Sequence, residues 1–116
     1  MRRLVAISAF FVSYASACSP APADQLFAQN ADFVLVGTAT ETREGTRDEN
    51  FDLLVRYDVL EVLSGNVPET RTGISLCRVP IRIGERLVVG SVDGQQYVYL
   101  AEISEQEVRA SIRSGR

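Results

Sequence analysis

The sequence predicts a mainly β domain, a small five-stranded barrel with a short N-terminal helix and a C-terminal helix. Three observations lead to this fold class: five short stretches are rich in strand-forming residues, the longest of them alternates strictly and changes phase once, and turn residues separate the stretches. Strands are predicted at residues 32–41, 51–63, 69–76, 86–91 and 96–101. Because five short strands with one long, bent member can close on themselves, the predicted architecture is an OB-fold barrel.

The N-terminal part of the domain is predicted to be an extended arm followed by a short helix. The arm, residues 19–22, reads Ser-Pro-Ala-Pro, and proline fixes φ and removes a backbone donor. The helix is predicted at residues 23–30. The first strand follows, and both of its faces start apolar, as expected where a barrel closes. Residues 43–50 are polar around Gly45 and predict an exposed hairpin loop.

The second strand carries the change of phase. The alternation that starts at Phe51 holds as far as Val59 and then slips by one residue at Leu60. One extra residue turns every later side chain to the other face, so we predict a β-bulge near Val59 and Leu60. Between the fourth and fifth strands, Asp93 and Gly94 predict a tight hairpin, since glycine tolerates the positive φ of such turns.

The C-terminal helix is predicted to begin at Ser104. Ser104 as N-cap and Glu107 three residues later form a capping-box pattern, and Ile103 and Val108 are placed for a hydrophobic staple. The helix is predicted to run to about Arg113.

Residues 1–17 have the three parts of a secretory signal peptide. Two arginines start it, residues 4–14 form the apolar run, and Ala15-Ser16-Ala17 is a small-x-small cleavage site. The apolar run is shorter than the roughly 20 residues that a membrane-spanning helix needs. We therefore expect a signal peptide at 1–17 and one domain at 18–116, periplasmic or secreted.

The composition excludes several classes of chemistry. The chain has no His, and every basic residue is Arg, so neither a Ser-His-Asp triad nor a catalytic lysine can be built. The mature domain would carry ten arginines and fifteen acidic residues, a balance that disfavours nucleic-acid binding. We expect that the protein is not an enzyme and that it binds no cofactor. Carboxylate catalysis by Asp52 or Asp58 is the remaining alternative, and both alternate with apolar residues as ordinary outward strand positions do.

Cys18 and Cys77 are the two cysteines of the chain. In an oxidising compartment they most simply form one disulfide, and a loop of about 60 residues gives such a bond about 4 kcal/mol by the chain-entropy argument. The bond would pin the arm of Cys18, Ser19 and Pro20 against the barrel as a binding element.

A competing interpretation makes Cys18 the acylated first residue of a bacterial lipoprotein. That signal usually places Leu three residues before the Cys, where this chain has Ala15. Acylation would consume the thiol and leave Cys77 unpaired. The protein would then be a lipid-anchored structural or assembly protein of the cell envelope.

Two further patterns favour structural roles. Tyr97 and Tyr99 share a face of the fifth strand, and we predict that they pack rather than stack on a ligand. Arg78, Arg82 and Arg86 recur every fourth residue, but the Pro and Gly between them make a helix improbable, so we predict scattered surface arginines.

The order and spacing of several segments carry a family resemblance. The segments are Cys18 directly after the leader, Pro22, and residues 25–27, 30–38, 57–68, 77 and 84–89. Together they resemble the netrin-like domain of the tissue inhibitors of metalloproteinases, and more closely the short bacterial secreted proteins of that superfamily. The resemblance covers about residues 18 to 102 and implies an OB-fold barrel.

The resemblance also implies a binding mode. In the inhibitors, the free amine and the carbonyl of the N-terminal Cys chelate the catalytic zinc of the protease, which keeps an open coordination position. Carried onto this chain, Cys18 would hold the partner's zinc, Ser19 would enter the specificity pocket, and Pro20 would belong to the same arm. The expected function is an exported, non-catalytic binding module whose partner is a zinc metalloprotease or another envelope protein, with membrane attachment only if Cys18 is lipidated.

Overall fold

The structure is a computed structural model, and it describes residues 23–27, 31–49, 51–76 and 80–114. In chain order the elements are α1 (Ala23–Phe27), β1 (Ala31–Glu44), β2 (Leu53–Ser64), β3 (Thr72–Ser75), β4 (Arg86–Val92), β5 (Gln95–Leu100) and α2 (Ala101–Ser114). The predicted mainly β class and the helix after the last strand are confirmed.

The five strands form a closed barrel in the order β1-β2-β3-β5-β4, and β4 returns to pair with β1. Neighbouring strands are antiparallel, except that β3 and β5 run parallel where Ile74 lies opposite Tyr97. β1 is the strand on which closure depends, because it pairs with β4 along one edge and with β2 along the other.

The predicted bulge in the second strand is confirmed at Leu60. Val36 pairs with Glu61 and the next residue, Gly37, pairs with Val59, so Leu60 is the extra residue. Its side chain is 53% exposed, as expected where a slip of phase turns an apolar residue outward. Two further register shifts lie along the same pair of strands, and bends of this kind let a small barrel close.

The barrel has two apolar cores. The residues of the first core lie inside the barrel: Phe33, Leu35, Ala39, Val55, Tyr57, Ile81, Leu87, Val89 and Val98. The residues of the second core lie between the outer face of the barrel and the two helices: Ala23, Phe27, Val34, Val88, Ala101 and Val108. Successive β1 residues point alternately into each core, which explains why both faces of the first strand are apolar.

Tyr97 and Tyr99 pack at the edge of the second core. The rings of Tyr99 and Phe27 meet edge to face, with centroids 5.6 Å apart. Gly90 leaves the space for Phe27, since a Cβ at Gly90 would stand 2.6 Å from the Phe27 ring. The prediction that these tyrosines pack is therefore confirmed, and their packing helps to hold α1 on the barrel.

The predicted start of the C-terminal helix is wrong. α2 begins at Ala101, directly after β5, and Ser104 lies inside the helix with its side chain 5% exposed. Ala101, Ser104 and Val108 share one face of α2, and all three are buried. Packing of this face extends the helix past the local capping signal. Glu107 is exposed, and the staple with Ile103 involves a side chain outside the described part of the structure.

The other boundaries of the strands and of the first helix differ by a few residues from the predicted ones. β1 continues to Glu44, so the hairpin loop is shorter than predicted, and β3 covers only Thr72–Ser75. α1 ends at Phe27, and residues 28–30 of the predicted helix lie outside the described residues. The predicted turn between β4 and β5 is confirmed, with φ of 53° at Asp93 and 82° at Gly94.

Candidate functional site

The residues predicted to bind a partner lie outside the described residues. These are Cys18, Ser19 and Pro20 of the arm, together with Cys77 of the predicted disulfide. The described chain stops at Leu76 and resumes at Pro80. Leu76, the residue before Cys77, therefore identifies the part of the barrel to which the predicted site belongs.

Leu76 lies at one end of the barrel. At this end residues 45–52 join β1 to β2, and β3 ends at Ser75. The Asp52 N–H donates to the Ser75 carbonyl at 3.0 Å, and Leu76 lines a surface cleft together with the loop. We call residues 45–52 the hairpin loop, and this end of the barrel the hairpin end.

Contacts between Arg43 and Glu49 order the hairpin loop. The Arg43 guanidinium donates to both oxygens of the Glu49 carboxylate, Nη1 to Oε1 at 3.1 Å and Nη2 to Oε2 at 3.0 Å. The Thr46 N–H donates to the same carboxylate at 2.7 Å, and the guanidinium carbon lies 5.7 Å from the centroid of the Phe51 ring. One cation thus connects both sides of the loop.

These contacts change the acidity of the pair. The hydrogen bond from Arg43, followed by that from the Thr46 N–H, lowers the pKa of Glu49 to about 2. The same hydrogen bond, together with the charge of Glu49, raises the pKa of Arg43. Both groups therefore stay charged at any physiological pH, and the loop keeps this ion pair.

Gly45 has a steric role in the hairpin loop. Its N–H donates to the Asp52 carbonyl at 2.9 Å, and a Cβ on Gly45 would overlap the Phe51 carbonyl oxygen. The two sides of the loop approach too closely here for any side chain. The predicted exposed loop around Gly45 is confirmed, and it is an organised turn rather than an irregular connection.

The turn at residues 82–85 is held against Ala39 on β1 and presents an apolar side chain to solvent. The Glu85 N–H donates to the Arg82 carbonyl at 3.0 Å, and the Gly84 N–H donates to the Ala39 carbonyl at 2.7 Å. The Arg82 N–H donates to Glu85 Oε1 at 3.0 Å. Ile83 stands at the tip and is 69% exposed, more than any other large apolar residue in the described part of the chain. The sequence analysis missed Ile83, although an isoleucine directly before a turn glycine is the signal that could have shown it.

A second surface feature is a cleft of about 430 Å³ between β2 and the last turns of α2. Four charged residues connect the helix to the barrel beside it. Arg86 Nε lies 2.7 Å from Glu105 Oε1, and Arg109 Nη2 lies 2.9 Å from Glu105 Oε2 and 2.7 Å from Glu61 Oε1. We call these residues, Arg86, Glu105, Arg109 and Glu61, the α2 ion network.

The ion network is internally satisfied. The hydrogen bond from Arg86, assisted by that from Arg109, lowers the pKa of Glu105 to about 2. Hydrogen bonds to Glu61 and Glu105 raise the pKa of Arg109. Because each cation already has carboxylate partners, we assign this surface to fixing α2 on the barrel.

The remaining candidate residues are placed apart from one another. Asp58 is exposed on β2, and Asp52 lies at the end of the hairpin loop. Arg82 is exposed and Arg86 belongs to the α2 ion network, whereas Arg78 lies outside the described residues. Within the described ranges, no group of three or more His, Cys, Asp or Glu residues is placed to hold a metal ion. No described helix is long and apolar enough to cross a membrane.

Comparisons with known protein families, with curated proteins and with solved structures find no match to this chain.

Proposed function

We propose that this chain is an exported, non-catalytic binding module that inhibits a zinc metalloprotease through its N-terminal arm. The observation that carries the proposal is the position of Leu76, the residue before Cys77, against the ordered hairpin loop. A Cys18–Cys77 disulfide would present the arm of Cys18, Ser19 and Pro20 at this end. An arm held in this way loses less conformational entropy when it binds.

The barrel topology supports an OB-fold as the scaffold. Five strands closed with one parallel contact between β3 and β5 agree with the small Greek-key barrel of that fold, in which the loop between the first two strands is a common binding element. The hairpin loop corresponds to that element. The ion pair between Arg43 and Glu49 holds the hairpin loop in one conformation in the unbound protein.

The proposed inhibition needs a free amine. The amine and carbonyl oxygen of Cys18 would displace the water on the protease's zinc, which occupies an open coordination position. Ser19 would then enter the adjacent specificity pocket. No side chain of this protein would take part in bond breaking, which is consistent with the chain having no His and no Lys.

The first test is the chemical state of the mature protein. We expect intact-mass analysis and non-reducing peptide mapping, on protein isolated from its native host, to show a chain that starts at Cys18 with a free amine and a Cys18–Cys77 bond. An acylated Cys18 would contradict the proposal and make the protein a lipid-anchored component of the cell envelope, since acylation removes both the amine and the thiol.

The second test measures inhibition of a panel of purified zinc metalloproteases. We expect the mature protein to inhibit at least one of them, and a matched variant with one additional alanine before Cys18 to inhibit it at least about 100-fold less well, because the extra residue moves the amine away from the zinc. Peptide mapping should show the same disulfide in both forms. Equal inhibition by the two forms, or none by the mature protein, would refute the proposed function.

A further inference from the structure

β3 contributes less to the interior of the barrel than any other strand. Its two buried residues are Gly73 and Ser75, and the first core contains no residue of β3. Each of the other four strands supplies at least one large apolar side chain to that core. Because burial of apolar surface is the main force that stabilises a fold, β3 is anchored more weakly than its neighbours.

Backbone pairing is also incomplete around β3. Toward β2, the residues of Thr72–Ser75 form four pairs, but toward β5 the pair of Ile74 and Tyr97 is the single one within the described residues. We call the contact between β3 and β5 the seam. Gly73 lets the two strands approach there, since a Cβ at Gly73 would stand 2.6 Å from Val98 Cγ2. The seam has the fewest backbone pairs of any contact between neighbouring strands in the described barrel.

A chain of side-chain hydrogen bonds crosses the seam. The Tyr57 hydroxyl donates to Gln96 Oε1, and Gln96 Nε2 donates to the Thr70 carbonyl at 2.7 Å. Tyr57 belongs to the first core, and burial raises its pKa to about 12, so the hydroxyl keeps the proton that it donates. We call this chain, from Tyr57 through Gln96 to the Thr70 carbonyl, the latch. It connects the interior of the barrel and β5 to the residues that lead into β3.

The residues on both sides of β3 are largely in contact with solvent. Between β2 and β3, every residue of the loop 65–71 except Pro68 is exposed, and Leu76 after the strand is 40% exposed. The Tyr57 N–H donates to the Arg71 carbonyl at 3.1 Å and continues the ladder of β2 by one residue. Segments with little apolar burial and with backbone hydrogen bonds close to solvent open at the lowest cost in free energy. Residues 70–76 have both properties.

The rest of the barrel keeps its pairing when this segment is detached. The closed order is β1-β2-β3-β5-β4, so without β3 the strands β2, β1, β4 and β5 remain a continuous antiparallel sheet. The second core, which holds the two helices on the sheet, also contains no residue of β3. Detachment of residues 70–76 therefore leaves both apolar cores with all their members, and it costs less free energy than unfolding of the whole domain.

We propose that residues 70–76 are a flap that opens from the barrel as a unit while the other strands stay folded, and that the latch keeps the flap closed. In the open form, the edge of β5 and the side chain of Val98 become accessible to solvent, and so does the edge of β2 over residues 53–56. The flap controls access to the interior of the barrel at the seam. This inference does not depend on the proposed function.

The test is hydrogen exchange of the backbone amides, followed by NMR on the intact protein at increasing urea concentrations. We expect the amides of Thr72–Ser75 to exchange through an opening that depends weakly on urea, because the flap exposes little surface. The amides of Leu35 and Val89 should exchange only when the sheet unfolds, with a strong dependence on urea. Tyr57→Phe, which removes the first bond of the latch, should raise the exchange rates of Thr72–Ser75 by about 5- to 10-fold. Gln96→Met, which removes both bonds, should raise them at least as much if Tyr57→Phe fails to fold.

Two control variants separate opening of the flap from unfolding. Gln95→Met, at the exposed neighbouring position of β5, should change the rates by less than about twofold. Val108→Ala, in the second core, should speed exchange at Leu35 and Val89 and leave Thr72–Ser75 unchanged. Equal acceleration of all these amides by Val108→Ala, or an equal dependence on urea, would overturn the proposal, because β3 would then detach only when the whole barrel unfolds. Unchanged exchange of Thr72–Ser75 in both latch variants would overturn it as well.

Discussion

Gly45 shows at the level of one residue how closely the two sides of the hairpin loop approach. We expect Gly45→Ala to lower the free energy of unfolding by about 1–3 kcal/mol, because the new methyl group must displace the Phe51 backbone. Gly94→Ala is the control: its Cβ meets no atom within 4 Å, so its cost is that of a positive φ alone, about 1–2 kcal/mol. The free energy of unfolding of both variants should be measured by urea denaturation, and the hydrogen exchange of the backbone amides in the loop should be measured on the same samples. Unchanged exchange in the loop of Gly45→Ala would contradict the steric explanation.

Single residues also show where the sequence is informative. The side chain of Leu60 breaks a period-two pattern, so the bulge could be predicted from the sequence, and the structure confirms it. Ser104 offered a capping pattern that the structure does not use, since a cap is a local signal and the buried face of α2 is decided by the barrel beneath it. Arg86 and Glu105 lie nineteen positions apart, and no local pattern links them.

The α2 ion network determines how the C-terminal helix responds to acid. Arg86 and Arg109 lower the pKa of Glu105 from 4.5 to about 2 in the folded protein, so its contribution to stability is present above pH 4.5 and is lost as the pH falls towards 2. We expect Glu105→Gln to flatten this part of the curve of stability against pH. The effect should be modest, because the network is largely in contact with solvent.

The exposed Glu107 on the same helix provides the matched control. Glu107→Gln should leave the acid limb of the stability curve unchanged when thermal unfolding is measured between pH 2 and pH 6. If the two variants flatten the curve equally, the loss of stability in acid does not come from the ion network. Protonation of Glu49, whose pKa is also lowered to about 2, would then account for part of that loss.

Among the elements, the strands could be predicted better than their ends. The alternation in β2 follows from burial on one face of the sheet, and the apolar runs of β1 and β4 follow from burial on both faces; the sequence records both patterns directly. The extension of β1 to Glu44 depends on pairing with Leu53 on β2. The residues at the end of β1 are polar, and their sequence does not predict this strand pairing. The candidate site was predicted through Cys18, Ser19, Pro20 and Cys77, and the exposed hairpin loop was predicted separately. That Leu76, the residue before Cys77, lies against this loop became visible only in the structure.

At the level of the whole molecule, the proposed disulfide should be a large part of the stability. We expect Cys77→Ser to lower the free energy of unfolding of the mature domain by about 4 kcal/mol, because it opens a loop of about 60 residues in the unfolded chain. Guanidinium denaturation should give the same midpoint for Cys77→Ser, Cys18→Ser and the reduced wild type. A reductant that leaves the wild-type midpoint unchanged would show that the bond does not form.

The double pairing of β1 has a consequence for the order in which the chain is made. One edge of β1 can pair with β2 once Leu53–Ser64 has been synthesised, whereas the other edge has no partner until β4 is made, since Leu35 pairs with Val89. During that interval β1 offers a free row of backbone donors and acceptors to any neighbouring strand. Neighbouring nascent chains of this protein are therefore most able to pair with each other before residue 86 has been synthesised. If translation pauses in that interval, we expect misassembly to begin there.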